Sequence, residues 1–162
     1  MHPTAERVRE LLHYDPETGV WTWKVNRHNR RLAGRVAGAV DSHGYRQITI
    51  DGVRHLASRL AFLWMERTWP PDQVDHRDMN PTNDRWANLR LASRSQNFGN
   101  QHAYSSNRLG VKGVSRVGKR YLAQIQKDGV KVYLGRFDRV EDAALAYRVA
   151  AEAAYGDFAR TI

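Results

Sequence analysis

The chain has 162 residues, room for one ordinary domain or two small ones, and a formal charge of +9 at neutral pH, a balance that raises the local concentration of polyanions. It contains no cysteine, which excludes disulfides and Cys-ligated zinc. No apolar run approaches a membrane span and MHPTAERVRE lacks the layout of a signal peptide, so a soluble intracellular protein is expected.

From Thr4 to about Tyr14, Val8, Leu11 and Leu12 recur at helical spacing and predict a short amphipathic helix. Asp15-Pro16-Glu17-Thr18-Gly19 is a turn, and Val20 to Lys24 alternates as a strand that puts Trp21 and Trp23 on one core-facing side. The basic run from Lys24 to Arg31 has no apolar period and reads as a surface loop, available for phosphate contact. Glycines between 34 and 44 punctuate two short strands, the second being Tyr45 to Ile50. Asp51-Gly52 is a hairpin turn, and the chain returns as Val53 to Leu56. His55 is expected to be an ordinary exposed histidine. Leu60, Ala61, Leu63 and Trp64 mark a helix from Ala57 to about Arg67, which Trp69-Pro70-Pro71 closes.

The next stretch, VDHRDMNPTNDRWANLRLASRSQN, carries the chemistry. Gln73 to His76 is a strand, Asn80 to Asp84 a polar loop and Leu89 to Ala92 a second strand. Ser93 and Gln96 form the S-x-x-Q of a capping box that starts a helix. The result is a β-β-α unit. Asp and Asn oxygens suit Mg²⁺ or a similar hard ion, and a neutral imidazole beside them, with an ordinary pKa of about 6.5, can take a proton from an attacking water. Such a set describes a one-metal, His-assisted phosphodiester hydrolase.

This segment resembles the HNH (ββα-metal) nucleases, closest to the homing-endonuclease branch, in the spaced pattern Asp75-His76, Asn88-Leu89 and Ser95-Gln96-Asn97. The resemblance implies His76 as general base and Asp75 and Asn97 as ligands of one Mg²⁺ or Mn²⁺ ion. It implies that Asn88 ties the loop so that His76 stays oriented. Hydrolysis in this family leaves a 5′-phosphate and a 3′-hydroxyl. Many relatives carry His where this chain has Ser58, a departure that touches neither the base nor the ligands. The turn and strand YDPETGVWTWK also resembles the lead-in of phage-type HNH proteins.

After Asn97 the chain turns polar and becomes a linker, in which His102 is expected to be idle. Val114 begins a strand that ends at Gly118-Lys119. Tyr121, Ala123 and Ile125 then face one way and Leu122, Gln124 and Gln126 the other. Asp128-Gly129 is a hairpin turn, Val130 to Leu134 alternates, and Asp138-x-x-Glu141 predicts the start of an alanine-rich helix that Gly156 stops. Lys112-Gly113-Val114, Tyr133-Leu134-Gly135-Arg136-Phe137 and Glu141 to Tyr147 resemble the AP2/ERF DNA-binding fold. By that resemblance the sheet enters the major groove and presents Arg116, Lys119, Arg120, Gln124, Gln126, Lys131 and Tyr133. Eight Lys or Arg stand against one acid between Arg108 and Arg136, in keeping with such a face.

The expected fold class is α+β: an HNH ββα-metal module over 1–100, a linker over 101–107, and an AP2-like module of three antiparallel strands and one helix over 108–162. The expected partner is double-stranded DNA, with no membrane and no small-molecule substrate, in a bacterial cytoplasm or a phage-infected host. One active site per chain fits nicking by a monomer or double cleavage by a dimer. The competing reading is a DNA-binding regulator whose nuclease module does not cleave; a third is an enzyme directed at RNA.

Overall fold

The computed structural model describes residues 2–26, 31–101, 103 and 107–160. Arg27 to Arg30 of the basic loop and His102 of the linker lie outside them. The chain divides into two compact units, 1–91 and 92–162. The fold is α+β, with small antiparallel sheets and short helices. Among the described residues no helix is long and apolar enough to cross a membrane.

The first unit opens with α1 (Ala5–Leu11), whose N-cap Thr4 accepts from the Arg7 amide at 3.2 Å. The helix does not run on to Tyr14 as its apolar spacing predicts. Leu12–Tyr14 leaves it as strand β1, because its buried-exposed-buried alternation pairs with β2 (Trp21–Trp23) in the register Leu12↔Trp23 and Tyr14↔Trp21. The tryptophans pack as predicted: Trp21 is fully buried, stacked on Tyr14 at 4.6 Å and met edge-on by Trp64 at 5.8 Å. A three-stranded sheet follows, in the order β3 (Ala39–Val40), β4 (Arg46–Ile50), β5 (Val53–Leu56). Helix α2 (Ala57–Glu66) buries Leu60, Ala61, Phe62 and Leu63 and ends where Arg67 turns left-handed. Arg59 then donates to the carbonyls of Asp72 and Pro70 at 2.7 and 3.0 Å, which fixes the approach to β6 (Gln73–His76). β6 pairs with β7 (Leu89–Ala92).

His55 is a correction. It is buried beneath Trp69, ring centroids 5.4 Å apart, because it sits on the inward row of β5 rather than the outward one. Its Nε2 has no hydrogen-bond partner. Burial, helped by neighbouring His2, draws the imidazole below its ordinary range. The unfolded chain therefore binds the proton more readily, so the stability His55 contributes is complete above its unfolded pKa of about 6.5 and is lost as the pH falls below it. Urea midpoints should drop between about pH 7.5 and about pH 5, with a shallower drop in His55→Phe. Equal slopes would show that other groups carry the dependence.

The second unit begins with α3 (Arg94–Asn100). Its antiparallel sheet has the order β10-β9-β8, from β8 (Val114–Val117), β9 (Arg120–Lys127) and β10 (Val130–Phe137). Helix α4 (Val140–Tyr155) lies on it, with Ala143, Tyr147, Ala151 and Tyr155 buried against Val114, Ala123 and Ile125. The small alanines permit that approach. Gly113 is indispensable: its φ is +71°, and a Cβ would stand 2.1 Å from the Tyr147 ring and 2.5 Å from the Gln124 carbonyl. Asp138 does not cap α4. The N-cap is Arg139, without a side-chain bond, and Asp138 pairs instead with Arg120 at 2.8 Å across exposed surface.

Candidate active site

The loop between β6 and β7 is stapled from inside. The Asn88 carboxamide accepts from the Asp78 amide at 3.1 Å and donates to Asp78 Oδ1 at 2.9 Å and to the Asn83 carbonyl at 2.8 Å. Its own carbonyl accepts from the Arg77 amide at 2.9 Å. Asp78 is the anionic hub of this loop. Burial works against its carboxylate, but bonds from Asn83, the Asn80 amide and Asn88 outweigh that and hold it below its ordinary range.

The loop is also held from beneath by the turn between β1 and β2. Trp86 donates its amide to the Pro16 carbonyl at 2.9 Å, and the Tyr14 hydroxyl donates to the Asp84 carbonyl at 2.6 Å. Gly19, at φ +73°, lets that turn approach so closely that a Cβ would stand 2.5 Å from the Arg85 nitrogen. Asp84 is thereby driven inward until it is only 2% exposed.

What Asp84 meets there is His76. The imidazole is 4% exposed and its Nε2 lies 3.0 Å from Asp84 Oδ1. A carboxylate only accepts, so Nε2 carries the proton, and in the neutral ring the basic lone pair is on Nδ1. The Tyr45 ring, half-exposed on the neighbouring hairpin, lies 6.0 Å from the imidazole. Asp84 is the residue that sequence reasoning missed. It stands eight positions after His76 in a loop where its type was accounted for as a turn former.

Asp75 points to the other side of β6. Its Oδ2 accepts from Arg90 Nε at 2.8 Å, with Asp75 6% and Arg90 9% exposed. Sequence reasoning assigned Arg90 no part, yet this guanidinium neutralises the carboxylate from the partner strand. Asp75 and His76 therefore sit next to each other on β6 but face opposite ways, and Asn88 closes the loop that follows, all three in the first unit. Asn97 lies on α3 in the second.

Among the described residues no three His, Cys, Asp or Glu side chains gather as a metal site. One carboxylate and one amide oxygen make a smaller set, and its chemistry suits a hard divalent ion that keeps several waters. Asp84 Oδ2 is buried without a hydrogen-bond partner, beside the His76 contact of Oδ1.

On the sheet of the second unit, register puts Gln124 opposite Tyr133 and Gln126 opposite Lys131, four of the predicted contact residues on one face. Arg136, opposite Leu122, joins that face and was not among the predicted contacts. Arg116 pairs with Tyr121, on the row that alternation assigns to the α4 side, and donates to the Gly118 carbonyl at 3.2 Å. Lys119 is in the turn, and Arg120 is held by Asp138. Arg116, Gln124, Gln126 and Lys131 also line a cavity of about 830 Å³ within this unit.

The sequence profile of the HNH endonuclease family matches residues 55–98, which run from the end of β5 through α2, β6 and β7 into α3. An uncharacterized HNH endonuclease of Acanthamoeba polyphaga mimivirus is 38% identical over 88 residues, covering 54% of this chain and 44% of that protein. The chain therefore spans less than half the length of that relative. Protein 3.8 of Escherichia phage T7 is 36% identical over 89 residues, covering 54% of this chain and 73% of the phage protein. No solved structure matches. The matched residues carry the Asn88 staple, the His76–Asp84 pair and the capping box of α3, and over residues 55–98 the chain carries an HNH endonuclease domain.

Proposed function

We propose that this protein is a metal-dependent DNA endonuclease of the homing or phage type, with His76 as general base. The observation that carries the proposal is the His76–Asp84 pair: a buried imidazole whose Nε2 is committed to a carboxylate, at the end of a strand stapled by Asn88. Its Nδ1 lone pair can accept a proton from water as that water attacks the phosphorus. Asp75 and Asn97 would hold the cation, which when bound stabilises the charge developing on the phosphate and the leaving oxygen. The second unit would serve as an AP2-like DNA-reading module, with Gln124, Gln126, Lys131 and Tyr133 on its outward face and the exposed Lys119 and Arg120 beside them, while Arg116 falls on the opposite row. Gln pairs with adenine edges and Lys with phosphate or guanine. Held on the duplex by that module, the nuclease half meets nearby phosphates at raised effective concentration.

The test is a supercoiled plasmid incubated with purified protein. Nicking should require Mg²⁺ or Mn²⁺ and cease when EDTA is added, while retention of the plasmid in a gel persists. Retention without nicking in either metal would identify a DNA-binding regulator instead.

A further inference from the structure

The chain between β3 and β4 is a turn built on Asp41. The Asp41 carboxylate accepts from the amides of His43 and Tyr45 at 2.9 and 3.0 Å and from Gln47 Nε2 at 2.6 Å. The backbone closes the same turn: the Asp41 amide donates to the Tyr45 carbonyl at 2.9 Å, and the Asp41 carbonyl accepts from the Gly44 amide at 3.0 Å. Burial works against this carboxylate, but the bonds from Gln47, Tyr45 and His43 outweigh it and hold the group below its ordinary range. A turn tied by side chain and backbone together fixes the point from which Tyr45 leaves it.

That turn also rests on the loop that carries the site. Gly44 lies so close on Pro81 that a Cβ would stand 2.8 Å from the proline Cγ. Pro81 belongs to the β6–β7 loop, which Asn88 staples and from which Asp84 reaches His76. Held in this way, Tyr45 stands beside the imidazole of His76, ring centroids 6.0 Å apart and tilted by 53°.

Tyr45 does not use its side chain as Tyr14 does. Tyr14 is fully buried and its hydroxyl donates to the Asp84 carbonyl. Tyr45 is 39% exposed, and among the described residues its hydroxyl has no hydrogen-bond partner. A phenol in that position offers a phosphate oxygen a neutral donor, and its ring offers a deoxyribose or base an apolar face. Shielding the imidazole would require the ring alone, so the unbonded hydroxyl is the part that points to a ligand.

We propose that Tyr45 is a substrate-contacting residue: its hydroxyl donates to a phosphate of the strand being cut, flanking the phosphodiester that His76 serves. The proposal rests on the nuclease reading, with His76 as base, and it lies wholly within the first unit.

The test starts from the cut positions mapped on nicked plasmid. End-labelled duplexes spanning one such position are made unmodified, or with a methylphosphonate, which replaces a charged phosphate oxygen by methyl, at one phosphate flanking the cut. Nicking is followed with Mg²⁺ saturating and protein in excess of duplex but below half-saturation. Tyr45→Phe, which keeps the ring, should nick the unmodified duplex about 10-fold more slowly than wild type, as expected for loss of a hydrogen bond to a charged group. One of the methylphosphonates should slow the wild type by a similar factor but Tyr45→Phe by less than about 2-fold, because that protein has already lost the contact. If Tyr45→Phe lacks a cooperative melt, Tyr45→Leu is read in the same way. Wild-type nicking by the variant overturns the proposal, and so do methylphosphonates that slow both proteins by equal factors, the pattern of a residue that only shapes the loop. A wild-type protein that nicks no plasmid in Mg²⁺ or Mn²⁺ overturns the nuclease reading and this one with it; a wild type that nicks beside an unaffected Tyr45 variant overturns this one alone.

Discussion

Replacing His76 by Ala should slow Mg²⁺-dependent plasmid nicking by about 10²–10⁴-fold, the range a positioned general base contributes, while leaving plasmid retention at the wild-type level. The separation is expected because His76 is buried at the end of β6, and the outward sheet row of Gln124, Gln126, Lys131 and Tyr133 belongs to the other compact unit. Asp84 supplies the second arm. It accepts from Nε2 and so keeps the basic lone pair on Nδ1. Asp84→Asn retains the size of the side chain, but its amide can turn to donate and reverse the tautomer. Its loss in turnover should fall between wild type and His76→Ala, with Mn²⁺ half-saturation unchanged. Adding Asp84→Asn to His76→Ala should cost little more, since two groups acting as one unit are not additive. Single-turnover nicking at saturating metal measures all three. Wild-type turnover in His76→Ala would remove the imidazole from the chemistry, and a fully additive double variant would remove Asp84 from its support.

The parts of this site set by local rules were legible in the sequence. The strand bounds at Gln73–His76 and Leu89–Ala92 and the Ser93–Gln96 box follow from alternation and capping chemistry, and the structure places them there. The resemblance implies a loop-tying role for Asn88, and its carboxamide bonds Asp78 and Asn83 within that loop. What stayed hidden depends on contacts between distant segments. Asp84 looks like one turn former among several until Tyr14, 70 positions earlier, holds its carbonyl and Gly19 lets a turn press on its neighbour. Arg90 looks like a surface cation on an alternating strand until its register sets it against Asp75. Leu12–Tyr14 continues a helical period, and only its pairing with Trp21–Trp23 turns it into a strand. His55 was misjudged for the same reason: what covers it is Trp69, beyond a whole helix. Lys112 reads as one more basic residue ahead of a sheet, since the carbonyls of Phe98, Gly99 and Gln101 to which its ammonium donates carry no side-chain signal.

Arg90→Met should destabilise the protein by about 3–5 kcal/mol, the cost of leaving a buried charge without its counter-ion. The apolar stem of Arg90 is largely preserved in Met, so the loss is electrostatic: the Asp75 carboxylate, 6% exposed, loses the guanidinium at 2.8 Å. Adding Asp75→Asn removes the stranded charge, so the double variant should recover a large part of the loss, whereas independent sites would lose stability additively. Urea unfolding of wild type, both single variants and the double variant, at neutral pH in EDTA, gives the coupling. The same four proteins discriminate the uses of Asp75. If the carboxylate serves a cation as well as Arg90, Mn²⁺ should raise the urea midpoint of Arg90→Met more than that of the wild type, because the ion then supplies the positive charge the variant lacks. Asp75→Asn should show little rise in either background. An Arg90→Met protein as stable as wild type would mean that water reaches Asp75 freely, and a Mn²⁺ response surviving Asp75→Asn would place the ion on other ligands.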